Sequence, residues 1–167
     1  LFAFIAIVFI GCHTTPRDAR QVARDALENA RIQLDLGNKA EALQFFKDAE
    51  HYGLLANDTL TVAHARFNIA ANLGYYGDKE EVVSLLKAAA EGFGDDYVNR
   101  ADALRELGDF YQFHRAYDTA ELYLNQALAY AEKSGSMETK SNVFSAFYAM
   151  YFNAGKHEKS ADYLRQF

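Results

Sequence analysis

Apolar side chains recur at the spacing of an amphipathic helix, beginning soon after residue 15. In the first such segment the apolar positions are Val22, Ala26, Ala30 and Leu34, which fall on one face of a helix. Pro16 precedes them, and proline is favoured at the first helical position because the N–H that it lacks would have no partner there. A single proline in the whole chain also favours long helices over short strands. The pattern therefore predicts an all-α protein with a helix that begins at Pro16.

A short polar turn interrupts this pattern at intervals and predicts where each second helix begins. In LGNKAEAL, Gly37 ends one helix and Asn38 caps the next, with Glu41 reaching back to the cap. NAGKHEKSA is a looser copy near the end of the chain. Two further turns, YGDKEEVV and AYDTAELY, carry the capping pairs Asp78 with Glu81 and Asp118 with Glu121. The turns predict helices in pairs.

The pairs repeat with a period of about forty residues. Their turns centre on Gly37, Gly77, Arg115 and Gly155, which lie 40, 38 and 40 residues apart. About five residues past the turns lie Ala42, Val82, Ala120 and Ala161, followed seven residues later in three copies by Ala49, Ala89 and Ala127. Small residues at fixed offsets let a second helix pack closely on the first, and self-similarity at this period is typical of a helical solenoid.

The third copy, ADALRELGDFYQFHRAYDTAELYLNQALAYA, resembles a tetratricopeptide repeat (TPR). The resemblance is carried by Leu104, Leu107, Gly108, Tyr111, Ala120, Leu124 and Ala127. It extends over residues 23–167 as about four repeats, the last truncated, and implies a right-handed α–α superhelix of antiparallel helix pairs. The fourth copy departs from the family, since Tyr148 stands where a small residue is expected. HEAT repeats, at about 40–47 residues, are the structural alternative because the usual TPR period is about 34.

The first eleven residues, LFAFIAIVFIG, are apolar and precede the only cysteine, Cys12. A bilayer span needs about 20 such residues, whereas the apolar core of a secretory signal has about 7–15. A small residue before a cysteine resembles a bacterial lipoprotein signal, although Phe9 stands where an aliphatic residue is usual. We expect residues 1–12 to be such a segment, truncated at its start, with Cys12 lipidated, residues 13–17 to be a tether and residues 18–167 to be the array. The alternatives are the end of a transmembrane helix and an uncleaved signal anchor.

Composition and charge narrow the classes of function. The 167 residues carry a formal charge of −6, and basic residues alternate with acidic ones, which argues against a nucleic-acid surface in this segment. The five histidines show no metal-ligand spacing, and no P-loop, GxSxG or dinucleotide motif is present. We therefore expect no enzyme activity, cofactor or metal site in this segment.

The resemblance implies a binding surface on the first helix of each pair. Carried over position by position, it gives Arg24 and Arg31, then His64 and Phe67, then Arg105, Asp109 and Gln112, and finally Asn142 and Phe152. Arginine can grip carboxylates and rings can anchor a partner, which suits a protein or peptide ligand. Two alternatives stay open: Phe67 and Phe152 belong to the core, or the arginines pair with Asp25, Glu28 or Asp109.

Arrays with long repeats resemble those of Bacteroides-type lipoproteins and membrane regulators. That resemblance implies an interaction module tethered to the bacterial envelope, facing the periplasm or the cell surface, as the N-terminal sensing or scaffold part of a larger signalling protein. The alternative is a structural accessory lipoprotein of an outer-membrane assembly or uptake complex. We also expect self-association through the last repeat, at Tyr163 and Phe167, because an uncapped solenoid exposes its end.

Overall fold

The computed structural model describes residues 16–165, which form four consecutive pairs of helices. Each pair is joined by a short turn, so that its helices pack side by side in opposite directions. The helices are α1 (Pro16–Asp35), α2 (Lys39–Leu55), α3 (Thr59–Leu73), α4 (Lys79–Gly92), α5 (Tyr97–Phe113), α6 (Tyr117–Ser134), α7 (Met137–Asn153) and α8 (His157–Leu164), with a 3₁₀ turn at Gly74–Tyr76 between α3 and α4. The predicted helix start at Pro16 is confirmed, and the calls on Cys12 and Phe167 lie outside the described residues.

The turns explain most of the repeat period. Gly37, Arg115 and Gly155 adopt the left-handed conformation, with φ of 79°, 59° and 73°, in the turn between the helices of a pair. Gly77 was expected in the same role but has φ −65°. There α3 ends at Leu73, and Gly74, with φ 63°, begins the 3₁₀ turn. The second pair therefore has a longer connection than its neighbours, which the glycine spacing did not reveal.

Capping is confirmed at one of the three predicted sites. The Asp78 side chain accepts a hydrogen bond of 2.9 Å from the backbone N–H of Glu81. Asn38 precedes α2 but makes no capping bond, because its side-chain amide donates to Oε1 of Gln33 at 2.8 Å. The prediction for Asp118 is wrong, because α6 begins at Tyr117 with Ala116 at its N-cap position, and Asp118 therefore lies within the first turn. Three caps were missed, at Asp58, Asp96 and Ser136.

Small residues allow the paired helices to approach as expected. Ala42, Val82 and Ala120 are buried, and a Cβ on Gly108 would lie 2.6 Å from Cγ and Cδ2 of Leu124. In the last pair the buried residue is Ser160 and not Ala161, because Ser160 lies five residues past the turn. Its hydroxyl donates to the carbonyl of Tyr148 at 3.0 Å, which accommodates a polar group on the buried face of α8.

The apolar core consists of two clusters that meet at α3. One joins α1, α2 and α3 around Phe46 and Ile69. The larger one runs from α3 to α7 and includes Phe110 and Phe147. Ala65 and Ile69 of α3 belong to the first cluster and Ala63 and Ala70 to the second, while the partly buried Leu73 and Leu85 pack against both.

The odd-numbered helices form one layer of the stack, because α1 contacts α3 and α5 contacts α7 directly. Each of the even-numbered helices α2, α4 and α6 packs against the odd-numbered helix before it and the one after it, and α8 packs against α7. We call the first set the inner layer and the second the outer layer. Among residues 16–165, no helix has an apolar stretch long enough to span a bilayer.

Candidate binding groove

Two adjoining cavities open on the inner layer around α5. The central cavity has a volume of about 540 Å³ and is lined by Tyr75, Arg105, Asp109, Asn142, Ser145, Ala146 and Ala149. The turn-side cavity has a volume of about 440 Å³ and is lined by Tyr75, Asp109, Gln112, Phe113, Arg115, Tyr117 and Asn153. Because they share Tyr75 and Asp109, we treat them as one surface and call it the central groove.

Helical spacing on two neighbouring helices creates this surface. Arg105, Asp109 and Gln112 are four and three residues apart on α5 and therefore share a face. Asn142 and Ser145 are three apart on α7, which contacts α5. Four of the nine predicted binding residues, namely Arg105, Asp109, Gln112 and Asn142, are thus brought together.

Arg105 is surrounded by carboxylates of its own helix. Its Nη1 donates to Oδ2 of Asp109 and its Nη2 to Oε1 of Glu106, both at 2.6 Å, and its Nε lies 3.8 Å from Oδ1 of Asp102. Burial lowers the pKa of the Arg105 guanidinium, but Glu106 and Asp109 outweigh this effect and the pKa is raised. One cation therefore faces three acidic side chains.

The carboxyl of Asp109 is the most perturbed acid of the groove. Its side chain is 18% exposed, and burial raises its pKa to about 6 in spite of the attraction of Arg105, with Glu106 adding repulsion. Burial also raises the pKa of Asp102, which Arg105 lowers only in part. For both carboxyls, the free energy lost when the ionised form is removed from water exceeds the free energy gained from attraction to the Arg105 guanidinium.

Aromatic rings form the other wall of the turn-side cavity. The rings of Tyr75 and Phe113 stack with centroids 5.0 Å apart, and Tyr76, which is 90% exposed, meets Phe113 edge-on at 5.2 Å. Tyr117 is held by its hydroxyl, which donates to the carbonyl of Asn153 at 3.0 Å. The Oε1 atom of Gln112 is buried and accepts no hydrogen bond.

The predicted arginines of α1 lie apart from this groove and have carboxylates of their own. Arg24 lies 3.5 Å from Oδ2 of Asp58 at the start of α3, and Arg31 lies 3.8 Å from Glu28. Of the pairings left open by the sequence, those of Arg31 with Glu28 and of Arg105 with Asp109 are therefore present. Arg24 pairs with Asp58, which was not among the partners suggested by the sequence.

His64 and Phe67 pack inward, whereas Phe152 does not. The ring of the buried Phe93 lies 5.0 Å from His64 and 6.4 Å from Phe67. Burial, followed by the charge of Arg31, lowers the pKa of His64. Phe152 is 53% exposed and meets the ring of His157 at 5.3 Å. Phe67 therefore contributes to the core, and Phe152 stands on the surface.

The end of the described chain is tied down by rings. Tyr163 stacks on Phe147 at 4.5 Å and on Tyr151 at 5.6 Å, and Tyr151 donates to Glu121 at 2.7 Å. The ring of Tyr163 is thus used within the chain, although self-association through it was expected.

The sequence did not predict four residues in or beside the groove, namely Tyr75, Glu106, Phe113 and Tyr117. Glu106 stands next to Arg105 in the sequence, which is a signal that could have been used. The rings come from the longer connection after α3 and from the ends of two other helices, so that their convergence depends on how neighbouring pairs stack. Among residues 16–165, no group of three or more His, Cys, Asp or Glu side chains is placed to hold a metal ion.

Two solved structures share this arrangement of helices. BtubC (BKLC) from P. vanneervenii aligns over 89% of this chain with a TM-score of 0.78 and 21% sequence identity. A structure of nearly identical TPR-like repeats from Podosopora anserina aligns over 92% of this chain with a TM-score of 0.70 and 17% identity. The chain spans 63% of the length of the first and 74% of the second.

No protein-family model and no curated protein matches the sequence. The likeness to the two solved structures concerns the fold. With the helix pairs described above, it confirms the predicted fold class: the chain folds as an all-α solenoid of TPR-like repeats.

Proposed function

We propose that this chain is a protein–protein interaction module that holds an extended segment of a partner in the central groove. The observation that carries the proposal is the adjoining pair of cavities, about 540 and 440 Å³, on the inner layer. Stacked helix pairs make an extended surface of the kind that repeat proteins use for binding. Its lining includes Arg105, Arg115, Tyr75 and Tyr117, and arginine and tyrosine are enriched among the residues that carry binding energy in protein interfaces.

Site-specific photocrosslinking tests this proposal. A photoreactive phenylalanine analogue replaces Ser145 in the central groove or, as a matched control, Gln126, an exposed residue of α6 in the outer layer. We expect crosslinks to one partner from position 145 and not from position 126, in cells that express the full chain. Equal crosslinking from both positions, or none from position 145, would contradict the proposal.

We further propose that the module is tethered to a bacterial envelope through lipidated Cys12, as part of a larger signalling protein. The support is the sequence FIGC at the end of the apolar segment. Cys12→Ser removes the thiol that would carry the lipid, so we expect the protein to leave the membrane fraction and to lose labelling by a fatty-acid analogue. A variant that stays in the membrane would instead indicate an uncleaved span.

A further inference from the structure

We propose that the segment bound in the central groove is basic, with a lysine or arginine side chain placed between the carboxylate of Asp109 and the rings of Tyr75 and Phe113. This inference rests on the proposed function, because it names the chemistry of the partner for the same groove. It reverses the expectation drawn from the sequence, in which the groove arginines would grip a partner's carboxylates.

Charge complementarity favours a basic partner. Asp102, Glu106 and Asp109 surround one guanidinium, that of Arg105, and Arg115 lines the turn-side cavity, so these five groups keep an excess of one negative charge when all are ionised. The side chains of the three acids and of Arg105 are between 18% and 30% exposed, so solvent screens them less than it screens the exposed Arg115. An acidic segment would be repelled, whereas a basic one meets complementary charge.

An unfilled hydrogen-bond acceptor in the turn-side cavity also suits a cation. The buried Oε1 of Gln112, which lines this cavity, accepts no hydrogen bond. Ammonium and guanidinium groups are donors only, so either can supply the missing bond. The buried donor without a partner, Nε of Arg105, belongs to the central cavity and does not line the turn-side cavity.

The aromatic wall of the turn-side cavity also favours a cation. Tyr75 and Phe113 stack in the cavity that also contains Asp109, and Tyr117 lines the same space. Cations are attracted to ring faces, and the attraction is stronger where water is excluded. A carboxylate beside such rings favours an organic cation over a neutral polar group.

Protonation of Asp109 links binding to pH. Burial raises the pKa of Asp109 to about 6, and a bound cation would favour its ionised form. The charged or titratable groups around Asp109 are Arg105 and Glu106 on α5, Tyr75, Arg115 and Tyr117. The polar side chains of α7 that line the groove, those of Asn142, Ser145 and Asn153, are uncharged. Binding of a cation is therefore expected to be about tenfold tighter at pH 7.5 than at pH 5, where most Asp109 side chains are protonated.

The test presents the full chain to an array of random twelve-residue peptides. We expect the bound peptides to be enriched in Lys and Arg and depleted of Asp and Glu. The double variant Glu106→Gln, Asp109→Asn should lose this preference, whereas Glu80→Gln, Glu91→Gln, which makes the same charge change at exposed positions of α4, should keep it. The best basic peptide is then titrated at both pH values, and Asp109→Asn should remove the pH difference.

The outcomes separate the two proposals. Selection of acidic or uncharged peptides that contact the groove would overturn the basic-partner inference and leave the interaction module intact. The absence of any selective peptide would count against both the groove and its proposed occupant. Basic peptides that bind the double variant as tightly as the wild-type chain would show that their site lies elsewhere, which also overturns the inference.

Discussion

Replacing Asp109 by Asn is expected to stabilise the protein at neutral pH, although it removes a partner of an ion pair. In the folded chain, burial raises the pKa of Asp109 from 3.8 to about 6. A shift of about 2 units corresponds to about 3 kcal/mol. The folded state thus holds this proton more tightly than the unfolded state, and ionising the group above pH 6 costs about that much stability.

The sign follows from this difference in proton affinity. Below pH 3.8 the carboxyl is protonated in both states, and Asn, which resembles the protonated acid, should change little. As the pH rises from about 4 to about 6, the wild-type chain loses stability that the variant keeps. Above this range Asp109→Asn should exceed the wild type by up to about 3 kcal/mol. Arg105 retains Glu106 and Asp102 as partners in the variant, which limits the penalty that usually follows when one half of a buried pair is removed.

Urea unfolding at pH 4, 5, 6 and 7.5, followed by circular dichroism, measures the difference between the two proteins. The exposed Glu80→Gln serves as the control and should show no comparable dependence on pH. If Asp109→Asn were less stable than the wild type at pH 7.5, the attraction between Asp109 and Arg105 would outweigh burial. The reasoning about the groove's excess negative charge would then fail.

Three further changes probe the packing and the turns. Gly108→Ala places a Cβ 2.6 Å from Leu124 and should cost about 1–3 kcal/mol in urea unfolding; an unchanged midpoint would show that Leu124 can move aside. Arg115→Gly should raise stability by about 0.5–1 kcal/mol in the same assay, because a non-glycine residue at φ 59° is strained by more than glycine's extra unfolded-state entropy; a loss of stability would mean that the Arg115 side chain contributes more than the strain. Asp78→Ala should lower the thermal midpoint by removing a cap worth about 1 kcal/mol, whereas Asn38→Ala, which loses no capping bond, should have a smaller effect; equal effects would contradict the assignment.

The repeat and its helices could be predicted from the sequence because their signals are local. A turn residue, a small residue five positions later and another seven beyond that are set by contacts within one helix pair. Gly108 on α5 and Ala120 on α6 are examples, because the close packing of this one helix pair requires a small residue at both positions. Helix caps were harder to predict. Asn38 and Asp78 occupy equivalent positions in their turns, but the side chain of Asn38 donates a hydrogen bond to Gln33 and does not cap α2.

The groove could be predicted only in part because it is formed between pairs. Family positions placed Arg105, Asp109, Gln112 and Asn142 together, as the helix spacing requires. They could not show that Tyr75 reaches the same surface, since that depends on the 3₁₀ turn after α3. The sequence shows the carboxylates near Arg105 but not how deeply they are buried, so their effect on a ligand could not be judged. For this reason the expected charge of the partner changed from negative to positive.

The division of the core on α3 has a mechanical consequence for the module. The carboxylates and rings of the groove are attached to the larger cluster, whereas Arg31 belongs to a helix packed on the smaller one. The halves of the array built on these two clusters are joined through α3 and through two leucines that pack against both clusters, Leu73 and Leu85. These contacts set the angle between the halves. A short ligand held near Asp109 leaves that angle as it is. A longer ligand that also contacts Arg31 would join the two halves and restrict their motion about α3. The length of the ligand therefore decides whether binding stiffens the whole array or only the half around the larger cluster.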